Sequence, residues 1–187
     1  HQPHVPRTPN ERFVGQSGTG PRGDAIVEAD WCVGEITKHL ESLGLSKNTL
    51  IVFSSDNGPV IDDGYEDQAV ELLGDHQPLG LLRGGKYSLF DGGTRVPFIV
   101  SWPGKVKAGV SDALVCQVDL PASLSSLVGV TADSGTIADS KNVMDALLGK
   151  SDMGRSSLVL HASGTQAIRN LKWYLIPPHD GPAIYQY

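Results

Sequence analysis

The sequence predicts an α/β fold, with a mostly parallel sheet flanked by helices and a small antiparallel sheet near the carboxyl end. Three observations carry that expectation. Apolar residues Ile26, Ala29, Val33, Ile36, Leu40 and Leu43 recur at alternating spacings of three and four, the period of an amphipathic helix. Leu50-Ile51-Val52-Phe53 is an unbroken apolar run of β-branched and aromatic types, which reads as a strand buried on both faces, as in a parallel sheet. Helix then strand is half of a βαβ unit. Beyond Lys150, residues 157–161 and 167–176 read as two strands about a Ser163-Gly164-Thr165 turn, an antiparallel pair. Two units follow, 1–149 and 150–187.

At 187 residues the chain is long enough for one domain or a domain with a small appendage. Hydrophobic residues make up 40% and charged residues 19%, the balance of a chain with a packed core. A formal charge of −6 argues against nucleic acid bound through a broad basic surface. No apolar run approaches the ~18–20 residues that span a bilayer, so no membrane span is expected. Cys32 and Cys116 match no zinc spacing, and Cys32 lies within the helical pattern, so it is expected to be buried and inert. The chain opens at His1 inside a proline- and histidine-rich stretch, like the interior of a functional loop, which predicts a longer parent protein.

In order, residues 1–22 carry prolines and glycines without periodicity and read as a loop. Asp24 offers an N-cap for the long helix, and Gly44 is placed as its C′ residue. A strand runs to Asp56. Residues 59–85 form a long loop whose acidic residues, Asp62, Asp63, Glu66, Asp67, Glu71 and Asp75, read as solvated surface. A second strand spans Val96 to Trp102, with Pro97 at its start or on an edge. Residues 115–118 suggest a short strand. Asp119 caps a helix through Val128 with Pro121 in its first turn, and a short helix from Asn142 to Leu148 stops at Gly149.

The chemistry gathers at three places. Ser55-Asp56-Asn57-Gly58 follows a strand, where α/β sheets bind ligands, and supplies a carboxylate and an amide oxygen of the kind Ca²⁺ or Mg²⁺ prefers; the same string also reads as a plain turn. His1 and His4 stand three residues apart on a proline-stiffened chain, either catalytic groups or surface histidines. His76-Gln77-Pro78 leads into Arg83-Gly84-Gly85-Lys86, where glycines allow an anion close to the backbone and lysine supplies a compact charge; the spacing is not that of a phosphate-binding P-loop.

Taken together, His1-Gln2-Pro3-His4-Val5-Pro6, Ser55-Asp56-Asn57-Gly58-Pro59 and Leu82-Arg83-Gly84-Gly85-Lys86 running on to Gly92-Gly93-Thr94-Arg95-Val96-Pro97 resemble the carboxyl-side half of a type I sulfatase, of the alkaline-phosphatase-like superfamily. Gly18 to Asp24, Trp102-Pro103-Gly104 and Asp119-Leu120-Pro121 add to the likeness. The resemblance runs from His1 to about Gly149, and the final strands resemble the family's small C-terminal subdomain. It implies that Asp56 and Asn57 are two ligands of a Ca²⁺ ion, that Lys86 holds the sulfate and its leaving oxygen, and that His4 protonates the departing alcohol. His1 and His76 would line the substrate pocket, and Arg83 either contacts an anionic substrate or pairs with a loop carboxylate. It implies a sulfated small molecule or glycan as substrate and a place outside the cytoplasm, periplasmic or secreted. The family's formylglycine arises in a Cys/Ser-x-Pro-x-Arg motif, which this sequence does not contain, and its first-strand aspartate pair is missing too. A fragment inactive alone, with an exposed sheet edge prone to self-association, is the expectation. A phosphodiesterase or phosphonate hydrolase of the same superfamily, or a non-catalytic module binding sulfated glycans, are the alternatives.

Overall fold

The computed structural model describes residues 4–131, 133 and 135–178. Its longest element is helix α1, Gly20–Ser42. The apolar period sets its extent, and Gly44 ends it at φ +69°. The Gly44 amide donates to the Glu41 carbonyl and the Leu45 amide to that of Leu40, both at 2.9 Å, which is the Schellman arrangement that only a left-handed residue permits without strain. The start differs from the expectation. Thr19 is the N-cap and Pro21 lies in the first turn, whereas Asp24 is inside the helix, buried, accepting from the Gly15 and Ser17 amides at 2.7 and 2.8 Å. The carboxylate ties down the preceding loop instead of capping its own helix.

Strands β1 (Ile51–Ser54) and β2 (Phe98–Ser101) pair antiparallel, with Ile51 opposite Ser101 and Ser54 opposite Phe98. The parallel sheet expected here is therefore not what the described residues form. A short apolar run specifies a strand but not its partner's direction, and the loop between the two returns the chain without a crossover helix. Antiparallel pairing leaves the faces unequal. Phe98 and Val100 pack on a buried cluster of Val143, Met144, Ala146, Leu147 and Leu148, with Trp102, Val115, Leu120 and Leu127 around it. The opposite face carries the cross-strand pair Phe53 and Ile99, 39% and 58% exposed, so β1 is not buried on both faces.

The expected apolar stripe of α1 is also largely open. Ile36 and Leu43 are 59% and 56% exposed, and Cys32 is exposed rather than buried. Helical period reports which residues share a face, not whether anything covers it. In the amino-terminal half of α1, Phe13, from a 3₁₀ turn at Glu11–Phe13, is buried against Trp31 with ring centroids 5.8 Å apart.

After the four-residue helix α2 (Asp91–Thr94) and β2, the chain reaches α3 (Leu120–Leu127) and α4 (Met144–Leu147). No strand forms over 115–118. The Asp119 carboxylate accepts from the Cys116 amide at 3.1 Å and closes a 3₁₀ turn there. It also accepts from the Lys141 amide and from both nitrogens of the Arg155 fork, at 2.6–3.0 Å. Asp119 is fully buried, so this pair fastens the later chain to the core.

The last described elements are β3 (Leu158–Ala162), β4 (Thr165–Arg169) and β5 (Tyr174–Leu175), an antiparallel sheet in that order. Ser163 and Gly164 take φ +49° and +80°, so the two-residue turn is of the type whose twist suits a hairpin. The single strand expected over 167–176 is two, because the Asn170 side chain accepts from the Lys172 and Trp173 amides and turns the chain back. Among the described residues no helix is long and apolar enough to cross a membrane.

Candidate active site

Strand β1 delivers Ser55-Asp56-Asn57-Gly58 at its carboxyl end. Gln117 holds that end in place: its Nε2 donates to Ser54 Oγ at 2.9 Å and to the Ser55 carbonyl. Asp56 is exposed, and among the described residues its carboxylate meets a long 3.5 Å contact from Ser55 Oγ. Asn57 Nδ2 donates to the Gly58 carbonyl at 2.8 Å, which leaves Oδ1 as the acceptor of that amide. Two hard oxygens on consecutive residues suit Ca²⁺, which takes six to eight such ligands. Among the described residues no three His, Cys, Asp or Glu side chains gather into a metal cage.

Glycines bring Lys86 to this strand end. The Lys86 amide donates to the Pro59 carbonyl at 2.8 Å, the Gly58 amide to the Gly93 carbonyl at 2.9 Å, and the Gly92 amide to the Arg83 carbonyl at 2.7 Å. Gly58, Gly84, Gly85, Gly92 and Gly93 are all buried. None has room for a side chain: a Cβ on Gly58 would stand 1.8 Å from the Gly92 carbonyl oxygen, one on Gly93 2.3 Å from two carbonyls, and one on Gly85 2.8 Å from the Pro59 oxygen. Residues 58–59, 83–86 and 92–93 thus lie backbone against backbone, and Lys86 is one hydrogen bond away from the residue that follows Asn57-Gly58. Arg83 is turned to another use, its guanidinium lying 4.0 Å from the Phe90 ring centroid; it pairs with no loop carboxylate among the described residues.

His4 is exposed at the start of the described chain, and its loop is anchored three residues later. Arg7 is 4% exposed; its amide and Nη1 reach Asp67 at 3.1 and 2.9 Å, and its Nη2 reaches Asp63 at 2.8 Å. Two members of the acidic run are therefore the ends of an ion-pair clamp and not solvated surface. Arg22 lies beside it and donates to the Val60 carbonyl at 2.7 Å, its pKa lowered by burial and by the Arg7 charge against the pull of Asp63 and Asp67. Burial alone would raise Asp67, but bonds from the Arg7 amide and guanidinium and the Ala69 amide hold it below the ordinary aspartate value. His76 is exposed on the far part of the same loop, and His1 lies outside the described residues.

The structure thus joins Asp56, Asn57 and Lys86 through one glycine-packed scaffold and ties the loop of His4 to the acidic loop. Sequence reasoning missed Arg7, Arg22 and Gln117, whose partners lie 56, 38 and 63 residues away. The five tightly packed glycines were visible in the sequence, clustered beside the polar motifs, but not what they pack against.

Residues 1–130 match the sulfatase family model. The chain is 50% identical over 182 residues to an N-acetylgalactosamine-6-O-sulfatase of Bacteroides thetaiotaomicron, covering 97% of this chain and 36% of that protein. A solved structure from work on the metabolism of multiple glycosaminoglycans by Bacteroides thetaiotaomicron superposes with a TM-score of 0.93 at 49% identity, covering 97% of this chain and 38% of the other. The PsFucS1 sulfatase of Pseudoalteromonas sp. superposes at 0.78 and 30% identity, covering 94% and 34%. The chain spans about a third of the length of the curated relatives it matches. This chain belongs to the sulfatase family.

Proposed function

We propose that the full protein hydrolyses a sulfate ester on a carbohydrate, with the 6-sulfate of an N-acetylgalactosamine residue as the leading substrate. The substrate is suggested by the 50% identical relative that carries that activity in its name. The observation that carries the reaction class is the glycine-packed scaffold tying the Asp56-Asn57 strand end to Lys86 within a sulfatase-family chain.

In this reading Lys86 binds the sulfate and stabilises charge developing on the leaving oxygen, and His4 donates the proton that the departing alcohol needs. Asp56 and Asn57 would hold Ca²⁺ together with carboxylates from the rest of the protein, and an ion held there would supply Lewis-acid polarisation of the sulfate. His76, exposed on the acidic loop, is the described candidate for a substrate contact. Arg83, stacked on Phe90, supports the Lys86 loop and is within the same segment as the anion site. The formylglycine nucleophile lies in the part of the protein outside these 187 residues, so the chain alone releases no sulfate. Its open Phe53–Ile99 and Ile36–Leu43 faces make it self-associate, which light scattering on the 187-residue chain reads directly; a monodisperse monomer refutes that part. By the family resemblance alone, the proposed compartment is periplasmic or secreted.

The test is sulfate release from a 6-sulfated N-acetylgalactosamine disaccharide by the full-length protein, followed by ion chromatography. Turnover should fall about 10²–10³-fold in Lys86→Ala and by a similar factor with a Ca²⁺ chelator. Glycan binding without sulfate release would make the protein a non-catalytic binder. Turnover of a phosphodiester but not of the sulfate would move it to the phosphoester branch of the superfamily.

A further inference from the structure

The C-terminal sheet meets the rest of the molecule at the segment that follows Lys86. Ser163 Oγ, in the β3–β4 turn, donates to the Tyr87 carbonyl at 3.0 Å. The Tyr174 hydroxyl, on β5, donates to the Leu89 carbonyl. Arg169 Nη1, at the end of β4, donates to Asp91 Oδ1 at 2.9 Å. Three polar side chains from one sheet therefore land on residues 87, 89 and 91.

The segment they hold is not self-supporting. No regular structure spans 86–90, and Tyr87 takes φ +74°, a left-handed conformation that a bulky residue adopts only where its surroundings impose it. On its other side the segment is held by the Lys86 amide on Pro59, and its own turn bonds are those from the Ser88 amide to Gly85 and from the Phe90 amide to Ser88 Oγ. The backbone at Lys86 is thus gripped from the strand end by hydrogen bonds within the main body and from behind by the C-terminal sheet. The grip from behind is internally braced. The Arg169 guanidinium lies 5.2 Å from the Tyr174 ring centroid, and Asp91 also faces Arg95 at 3.9 Å. Burial raises the Tyr174 pKa above its ordinary value, so the hydroxyl stays protonated and remains a donor at neutral and mildly alkaline pH.

We infer that Ser163, Arg169 and Tyr174 are positioning residues for Lys86, so that the C-terminal sheet sets where the lysine stands relative to the Asp56-Asn57 strand end. The inference rests on the role given to Lys86 above. Displacements of about 1 Å at a reacting centre cost up to about 10²-fold in rate, so loss of one brace is expected to cost about tenfold.

A double-mutant cycle in the full-length protein tests it. kcat/KM for the 6-sulfated disaccharide is measured for the unaltered protein, Tyr174→Phe, Lys86→Ala and the double variant, with Ser163→Ala and Arg169→Met run in parallel. Tyr174→Phe should lower kcat/KM about tenfold in the presence of Lys86 and less than twofold in its absence, because no ammonium remains to be positioned. Arg169→Lys should recover part of the Arg169→Met loss. An equal loss in both backgrounds, or none in either, overturns the inference and leaves the role of Lys86 standing. Full activity in Lys86→Ala overturns that role, and the inference with it. Should Tyr174→Phe fail to fold, Ser163→Ala, which removes a single hydroxyl from an exposed turn, carries the same cycle.

Discussion

Gly58→Ala perturbs the scaffold at its tightest point. The new Cβ would stand 1.8 Å from the Gly92 carbonyl oxygen, where real Cβ atoms keep at least 3.0 Å, so the two backbones must part by about 1.2 Å, the difference between those distances. The neighbour is backbone, with Gly93 Cα also at 2.9 Å, so no rotamer change can absorb the shift. Overpacking of this kind costs about 1–3 kcal/mol, and parting the chains weakens the Gly58–Gly93 hydrogen bond, worth about 1 kcal/mol. A destabilisation of about 2–4 kcal/mol follows, read as a lower urea midpoint at unchanged slope. The same movement separates Asp56-Asn57 from Lys86, so sulfate release by the full-length protein should fall about 10²-fold even where it remains folded. Gly109→Ala is the control, since nothing lies within 4 Å of its Cβ position and no positive φ is recorded there. If Gly58→Ala keeps both its midpoint and its kcat/KM within twofold, the scaffold does not constrain the site and the reasoning fails.

Asp119→Ala should destabilise the protein by about 3–5 kcal/mol in denaturant unfolding, because it strands the Arg155 fork and two amides in a buried setting; a loss under 1 kcal/mol would show that water reaches them. Asp67 predicts the acid limb of stability. Its carboxyl lies below the ordinary value of 3.8 when folded, so its contribution is fully present above the unfolded pKa and is lost as pH falls below about 4; Asp67→Asn should flatten that limb in acid titrations, leaving Asp24, lowered likewise, to carry the remainder. Gly34→Ala, in the middle of α1 with open space at its Cβ, should raise stability by about 0.5–1 kcal/mol through helix propensity; a decrease would show that another part of the protein packs against that side of α1.

What was legible in the sequence was local. Gly44 announced the end of α1, Ser163-Gly164 the hairpin, Pro121 the start of α3, and Gly149 the stop after α4, whereas Asp119 stands at the expected N-cap position of α3 without a cap bond, its carboxylate taken by Cys116, Lys141 and Arg155. Each legible signal depends on a few neighbouring residues whose φ or hydrogen bonding has few solutions. What failed depended on partners. Asp24 looked like a cap because nothing local said that the amides of Gly15 and Ser17 would come to it. The run Leu50 to Phe53 specified a strand but not its antiparallel neighbour, and the stripe of α1 specified a face but not a cover for Ile36 or Leu43.

The site divides along the same line. Asp56, Asn57 and Lys86 stood out because their chemistry is unusual at the end of an apolar strand and after a pair of glycines. The residues that anchor the segments around them are ordinary by type. Arg7 in a proline loop, Gln117 before a helix and Arg169 on a short strand acquire meaning only when the fold sets Asp67, Ser54 and Asp91 against them. Groups that do chemistry must have particular functional groups, so they leave a local trace. Groups that aim them need only reach, and many residue types at many positions can reach. Where a chain stores glycines that cannot accept a Cβ, as at Gly58, Gly85, Gly92 and Gly93, the density of those glycines is itself a trace of the aiming machinery, and it was present in the sequence beside both chemical motifs.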